Sequence, residues 1–154
     1  EGAGKHRGSL ALVRDWELTA ESATCQIRTD RTRTQPWGLY GGQPGAFART
    51  TLCSNGATTE LGKVTVGMRR GDVLSVQVAG AGGWGDPLER NIELVRGDVI
   101  GGKVSPERAQ SVYGVVVDTV TLEVDVAATQ ALRKTMRPTE FAPLFLELTE
   151  PGGA

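Results

Sequence analysis

Glycine constrains this chain most: it supplies 21 of 154 residues, roughly one in seven against a usual share of about 7%. Such a chain is rich in turns and in places where a backbone can approach another backbone or a ligand closely. The glycines gather at Gly2 and Gly4, at four positions between Asp30 and Ala46, and in Gly80-Ala81-Gly82-Gly83-Trp84-Gly85-Asp86-Pro87. The length suits one domain. Seventeen basic and eighteen acidic residues leave a formal charge of -1, so no overall field favours nucleic acid or an anionic membrane. Apolar runs such as Tyr113 to Val117 fall far short of the ~20 residues of a membrane span. A soluble, cytoplasmic protein is expected. Cys25 and Cys53 form no short-spaced pair with each other or with His6, the single histidine, so no metal is assigned to this chain and both thiols are expected to be reduced. The opening Glu1-Gly2-Ala3-Gly4-Lys5-His6-Arg7-Gly8 reads as a fragment or processed subunit.

Alternation of Leu10, Leu12, Trp16 and Leu18 with Asp15, Glu17 and Thr19 predicts a first strand. Ala23, Cys25 and Ile27 alternate likewise, and the polar turn Ala20-Glu21-Ser22 predicts that the two pair as a hairpin. Asp30 to Ala46 has no period and reads as a long structured loop. Asn55-Gly56 marks a tight turn. Leu61 to Met68 and Val73 to Val78 are strand-like and are expected to form a second hairpin around Arg69-Arg70-Gly71-Asp72. Leu88, Ile92, Val95 and Val99 recur at helical spacing. Ser105-Pro106-Glu107 opens another helix that Gly114 ends. Val115 to Asp118 and Thr121 to Val124 are further strand-like runs, and Asp125 caps a last helix from Ala127 to about Met136, ended by Pro138. The fold class is therefore mainly β with short helices (α+β), carrying long glycine-rich loops. Residues 1–138 read as one module and residues 139–154 as a docking tail whose apolar patch, Phe141 to Leu148, needs a surface.

Each motif has a functional and a packing reading. Gly80-x-Gly82-x-x-Gly85 follows a predicted strand and precedes a helix, the setting of a dinucleotide fingerprint. Asp86-Pro87 puts a carboxylate where a phosphate would sit, and the next element is another helix, so nucleotide binding is disfavoured. Gly2-Ala3-Gly4-Lys5 lacks the Ser or Thr that a phosphate-binding loop places after lysine. His6 between Lys5 and Arg7 has no sequence-local carboxylate to orient it as a base, which leaves this basic turn an anion contact at most. Arg31 and Arg33, with Asp30, lie beside Trp37 on a glycine-rich loop, a pattern suited to holding a carboxylate or phosphate. An aromatic loop with solvated arginines fits equally well. For Gly41, Gly42, Gly82, Gly83 and Gly85, close packing of extended segments is the preferred reading and substrate contact the sharper one.

The ordered set Gly2-x-Gly4-Lys5-x-Arg7-Gly8, Asp30-Arg31, Pro36-Trp37-Gly38-Leu39-Tyr40-Gly41-Gly42-x-Pro44-Gly45, Gly71-Asp72, Gly82-Gly83-Trp84-Gly85-Asp86-Pro87-Leu88-Glu89-Arg90 and Val104-Ser105 to Tyr113-Gly114-Val115-Val116 resembles the C-terminal part of the hydantoinase B/oxoprolinase family. The resemblance implies a module of a larger multi-subunit fold. Its partners would be the remainder of a hydantoinase B-like subunit, a hydantoinase A-like ATPase and a small-molecule substrate. It implies ATP and Mg on the partner, no cofactor on this chain, and a divalent metal in the remainder of the B-like subunit. The implied reaction is ATP-dependent hydrolysis of a cyclic amide, with ketone carboxylation of the acetone or acetophenone type as the alternative. A non-catalytic β-rich assembly or binding module is the reading from another class. No catalytic residue is assigned. Lys5, His6, Arg7, Asp30, Arg31, Arg33, Trp37, Gly41, Gly42, Gly82, Gly83, Trp84, Gly85 and Asp86 are candidates for substrate or subunit contact.

Overall fold

A computed structural model of the chain describes residues 1–136; the expected docking tail lies outside the described residues. Strands come first: β1 (Val13–Glu17), β2 (Ser22–Ile27), β3 (Arg49–Ser54), β4 (Ala57–Leu61), β5 (Val64–Arg69) and β6 (Val73–Gln77). A 3-10 turn (Pro87–Glu89) and helices α1 (Ile92–Ile100), α2 (Pro106–Tyr113) and α3 (Val126–Thr135) follow. This is the strand-rich module with short helices that the sequence pattern predicts.

The pairing differs from the expectation. Four strands form an antiparallel sheet in the order β1-β6-β3-β4, and β2 and β5 form a separate two-stranded ribbon. Neither expected hairpin exists: β1 pairs with β6 and β2 with β5. The two segments run antiparallel and turn one corner together, from sheet into ribbon. Backbone bonds follow them around it, with the Leu18 N–H donating to the Asp72 carbonyl at 2.9 Å and the Gly71 N–H to the Leu18 carbonyl at 2.9 Å. Glu17 faces Val73 and Ser22 faces Arg69, so four residues oppose three at the corner, and an extra residue of this kind bends a strand pair. Polar residues at a chain reversal and at a sheet corner look alike in sequence, and only pairing with a distant strand separates them.

Asn55-Gly56 does make its turn, with both residues at positive φ, 50° and 77°, the geometry of a two-residue hairpin. It joins β3 to β4. The strand expected over Leu61 to Met68 is split between β4 and β5, and β3 was not foreseen because its run Arg49-Thr50-Thr51-Leu52-Cys53-Ser54 holds few apolar residues. Register puts Arg14, Trp16, Thr50, Leu52, Leu74 and Val76 on one face of the sheet. The ribbon covers part of that face with Ile27 and Met68, which are buried together with Leu52 and Leu74.

Helix ends form where the local chemistry predicts. The Ser105 hydroxyl accepts the Arg108 N–H at 3.2 Å, Gly114 closes α2 in the left-handed conformation, and the Asp125 carboxylate accepts the Ala128 N–H at 2.8 Å. The run after α2 makes a single bridge, Val117 to Val124, rather than a strand pair. A second core gathers Val95, Val99, Ala109, Tyr113 and Val115 around Ala3, which comes from the far end of the chain.

Asp72, buried at the sheet-to-ribbon corner, accepts the Arg69 N–H at 2.8 Å. That bond, aided by the Ser54 hydroxyl, holds its carboxyl below the usual range. Because the folded-state value is the lower one, the stabilisation is complete above the ordinary carboxylate range and is lost as pH falls from that range through the lowered folded-state value. Asp72→Asn is expected to melt at a lower temperature than the parent at pH 7, with the gap closing on acidification; thermal denaturation across pH 3–7 checks this.

Candidate functional site

Three extended segments, 1–8, 36–45 and 80–86, lie side by side at the distance of bare backbones. The Gly2 N–H donates to the Ala81 carbonyl at 2.9 Å, Gln43 to Ala3 at 2.7 Å, Gly83 to Gln43 at 2.9 Å and Leu39 to Gly83 at 2.9 Å. A Cβ on Gly82 would strike the carbonyl of Trp37, one on Gly83 the carbonyl of Ala3, and one on Gly42 the carbonyl of Gly83. The obstacles are backbone, so no side chain can swing aside. Gly82 of the fingerprint-like Gly80-x-Gly82-x-x-Gly85 thus meets another chain segment, not an open phosphate cradle. Asp86 caps the 3-10 turn, its carboxylate accepting the Leu88 N–H at 2.8 Å.

This glycine layer carries aromatic rings on its exposed side. Trp84 bridges His6 on one side and Leu39 on the other. Its indole is 5.4 Å from the His6 ring and 5.5 Å from the Tyr40 ring, both tilted. Tyr40 and Gly41 both sit at positive φ, 52° and 88°, in a turn closed by the Gly42 N–H on the Leu39 carbonyl at 3.0 Å. Only the glycine takes that geometry without strain. Trp37 is 64% exposed, with the Arg31 guanidinium 5.9 Å from its ring centre, within the range of a cation–π contact.

The basic candidates separate into two groups. Arg7 is engaged internally: its Nε donates to Asp98 Oδ2 at 2.9 Å and its Nη2 to Oδ1 at 3.2 Å. Arg90 Nη2 reaches the same Oδ2 at 2.9 Å and its Nη1 the Lys5 carbonyl at 3.1 Å. One buried carboxylate thus ties the N-terminal segment to α1. Arg133 extends the network by donating to the carbonyls of Arg90 at 2.9 Å and Tyr113 at 3.0 Å. Glu1 accepts from Arg108 at 2.8 Å and from the Tyr113 hydroxyl at 3.3 Å; burial, then the Glu1 charge, pushes that phenol up. Lys5 forms an exposed pair with Glu89 at 3.0 Å and packs against Gly85. Asp30 pairs with Lys63 at 2.6 Å, and the Lys63 ammonium lowers its carboxyl. Arg33 is exposed, and no hydrogen bond or ion pair joins it to another described residue.

Sequence reasoning passed over Asp98 although a signal was present: a carboxylate on the apolar stripe of α1, between Val95 and Val99. Tyr40, inside the Pro36 to Gly45 motif, is a further ring of this set that its sequence setting does not single out. Among the described residues no group of three or more His, Cys, Asp or Glu could hold a metal, and no helix is long and apolar enough to cross a membrane.

The family model for hydantoinase B/oxoprolinase matches residues 1–87. The chain belongs to the hydantoinase B/oxoprolinase family. Its relatives include an uncharacterised protein of Methanocaldococcus jannaschii, 34% identical over 117 residues, which is 75% of this chain and 21% of that protein. A Pseudomonas sp. protein provisionally designated the B component of a D-/L-hydantoinase is 32% identical over 136 residues, 85% of this chain and 22% of its own length. The family member thus spans about a fifth of the length of these two relatives. Among solved structures, the ATP-dependent caprolactamase from Pseudomonas jessenii superposes with a TM-score of 0.68 at 28% identity, over 86% of this chain and 24% of that one. A nucleotide-free acetone carboxylase gives 0.54 at 25% identity, over 64% and 18%.

Two pairs of substitutions test what is structural in this site. Asp98→Ala leaves two guanidinium groups facing one another in a buried space and is expected to cost about 3–5 kcal/mol, whereas Lys5→Ala at the exposed pair costs under about 1 kcal/mol; urea unfolding measures both. Gly83→Ala is expected to lose about 3 kcal/mol, the upper end of the usual cost of overpacking, because rigid backbone must move, while Gly62→Ala, with nothing near it, stays within about 0.5 kcal/mol of the parent.

Proposed function

We propose that this chain is the C-terminal module of a hydantoinase B-type subunit in an ATP-dependent enzyme that hydrolyses a cyclic amide. The observation that carries the reading is the closer and broader match to an ATP-dependent lactamase than to a carboxylase: 86% of the chain at a TM-score of 0.68, against 64% at 0.54. In this reading a hydantoinase A-type ATPase partner binds ATP and Mg and activates the amide carbonyl by phosphoryl transfer. ADP leaves as the γ-phosphoryl group passes to the amide oxygen. Water then adds its oxygen to the carbonyl carbon, the ring C–N bond breaks as the departing nitrogen takes a proton, and a second water releases inorganic phosphate from the resulting acyl phosphate to leave the ring-opened carboxylate. In the same reading a divalent metal is carried by the remainder of the B-type subunit and not by this chain. The assembly is a cytoplasmic hetero-oligomer with no nucleic acid or membrane partner.

This module's share is positioning and electrostatics. The glycine layer fixes the backbone under the aromatic rings, and the tilted faces of Trp84 and Tyr40 offer apolar, aromatic contact suited to a ring substrate. The exposed cation Arg33 and the Arg31–Trp37 pair supply positive charge where an oxyanion develops. Residues 139–154 serve as the docking tail.

The test is reconstitution of the full complex with a panel of hydantoins, lactams and 5-oxoproline, run beside acetone and bicarbonate. Ring opening that requires ATP and all components is expected, with no ATPase activity in this chain alone. Trp37→Ala with Arg33→Ala is expected to lower kcat/KM at least tenfold. Unaltered turnover in that variant removes the loop from the site, and product formed only from ketone and bicarbonate replaces hydrolase with carboxylase.

A further inference from the structure

The two β layers are unequal. Four strands present an apolar face, and a ribbon of only two strands lies across it. The uncovered part is an open, mainly apolar groove of about 800 Å³ that runs along β2 and is lined by Trp16, Cys25, Ile27, Leu74 and Val76. Residues 23–27 of β2 border it without a break, whereas β5 contributes only Met68, so the groove lies on the side of β2 that no described strand pairs. Thr50 also lines it; this residue is 1% exposed and its hydroxyl has no hydrogen-bond partner among the described residues. Val78 also lines the groove, and apolar exposure continues beside it at Leu12, whose carbonyl accepts the Val78 N–H at 3.0 Å.

Resting on the module reading above, we infer that this groove is the seat of an extended apolar segment from the remainder of the hydantoinase B-type subunit, added as a third strand at the free edge of β2. Three observations choose that occupant. The chain spans only 24% of the caprolactamase chain it superposes on, so family members carry a large amount of further polypeptide. The groove follows a strand edge whose N–H and C=O groups pair with no described strand, and such an edge recruits backbone by β-strand addition. Its wall is mainly apolar on the sheet side, at Trp16, Leu74 and Val76, while β2 and the residues after it add polar groups such as Gln26, Arg28 and Asp30; an extended strand, apolar on one face and polar on the other, suits both. The added strand would place its apolar residues on Trp16, Leu74 and Val76 and complete the second layer of the sandwich.

Cysteine placement provides the test. Cys25 lines the groove, and Cys53 alternates with Leu52 onto the opposite face of the sheet. In the assembly purified from its native cells, Cys25 is expected to react with a maleimide at least tenfold more slowly than in the purified chain, with the Cys53 rate unchanged. A benzophenone photo-cross-linker replacing Trp16 is expected to capture a peptide of the hydantoinase B-type polypeptide, and one replacing Val13, on the other face, is not. If that polypeptide co-purifies but Cys25 stays equally reactive and position 16 captures nothing from it, the groove inference is wrong and the module reading stands. Capture of a second copy of this chain, or of an unrelated protein, at position 16 overturns the inference as well. If no hydantoinase B-type polypeptide accompanies the chain, the module reading itself fails.

Discussion

Backbone-on-backbone contact among the three glycine-rich segments is the constraint on which the rest depends. At Gly82 on Trp37, Gly83 on Ala3 and Gly42 on Gly83 the carbonyls already occupy the space a Cβ would need. The layer joins elements that otherwise share little. Ala3 lies in the helical core while its neighbours Gly2 and Gly4 press against 82–84, and segment 80–86 runs on from β6 toward α1. The buried Arg7–Asp98–Arg90 cluster then locks the N-terminal segment against α1. A buried ion pair of this kind adds less to stability than to specifying one arrangement, since desolvation offsets much of its attraction. Here it sets the register of segment 1–8 against the helices.

What was legible in the sequence was local. Asn55-Gly56, Ser105-Pro106, Gly114 and Asp125 act through their own backbone neighbourhood, and each forms the turn or cap its chemistry implies. Strand pairing was not legible, because Ala20-Glu21-Ser22 and Arg69 to Asp72 have the composition of hairpin turns yet lie at one shared corner. Burying Ile27 together with Met68 and Leu74 decides that choice, and Ile27 lies far from the other two along the chain. The site was legible in part. The glycine motifs marked the layer correctly, and packing proved to be what several of the glycines do. The basic residues were grouped by proximity in sequence, but the fold separates them: Arg7 turns inward to Asp98 while Arg31 and Arg33 stay at the surface.

The proposed role as a module of a larger assembly draws on two features of the surface: an exposed aromatic set on the glycine layer and an incompletely covered sheet. Rigidity at the glycine layer and openness at the sheet divide the labour. The first presents His6, Trp84 and Tyr40 in fixed geometry, and the second leaves a surface for assembly.

Native mass spectrometry of the assembly isolated from its own cells tests the central claim most directly. The predicted result is a hetero-oligomer that contains this chain, a longer hydantoinase B-type polypeptide and an ATPase of the hydantoinase A type. A stable species at the mass of the single chain, with neither companion, would contradict it.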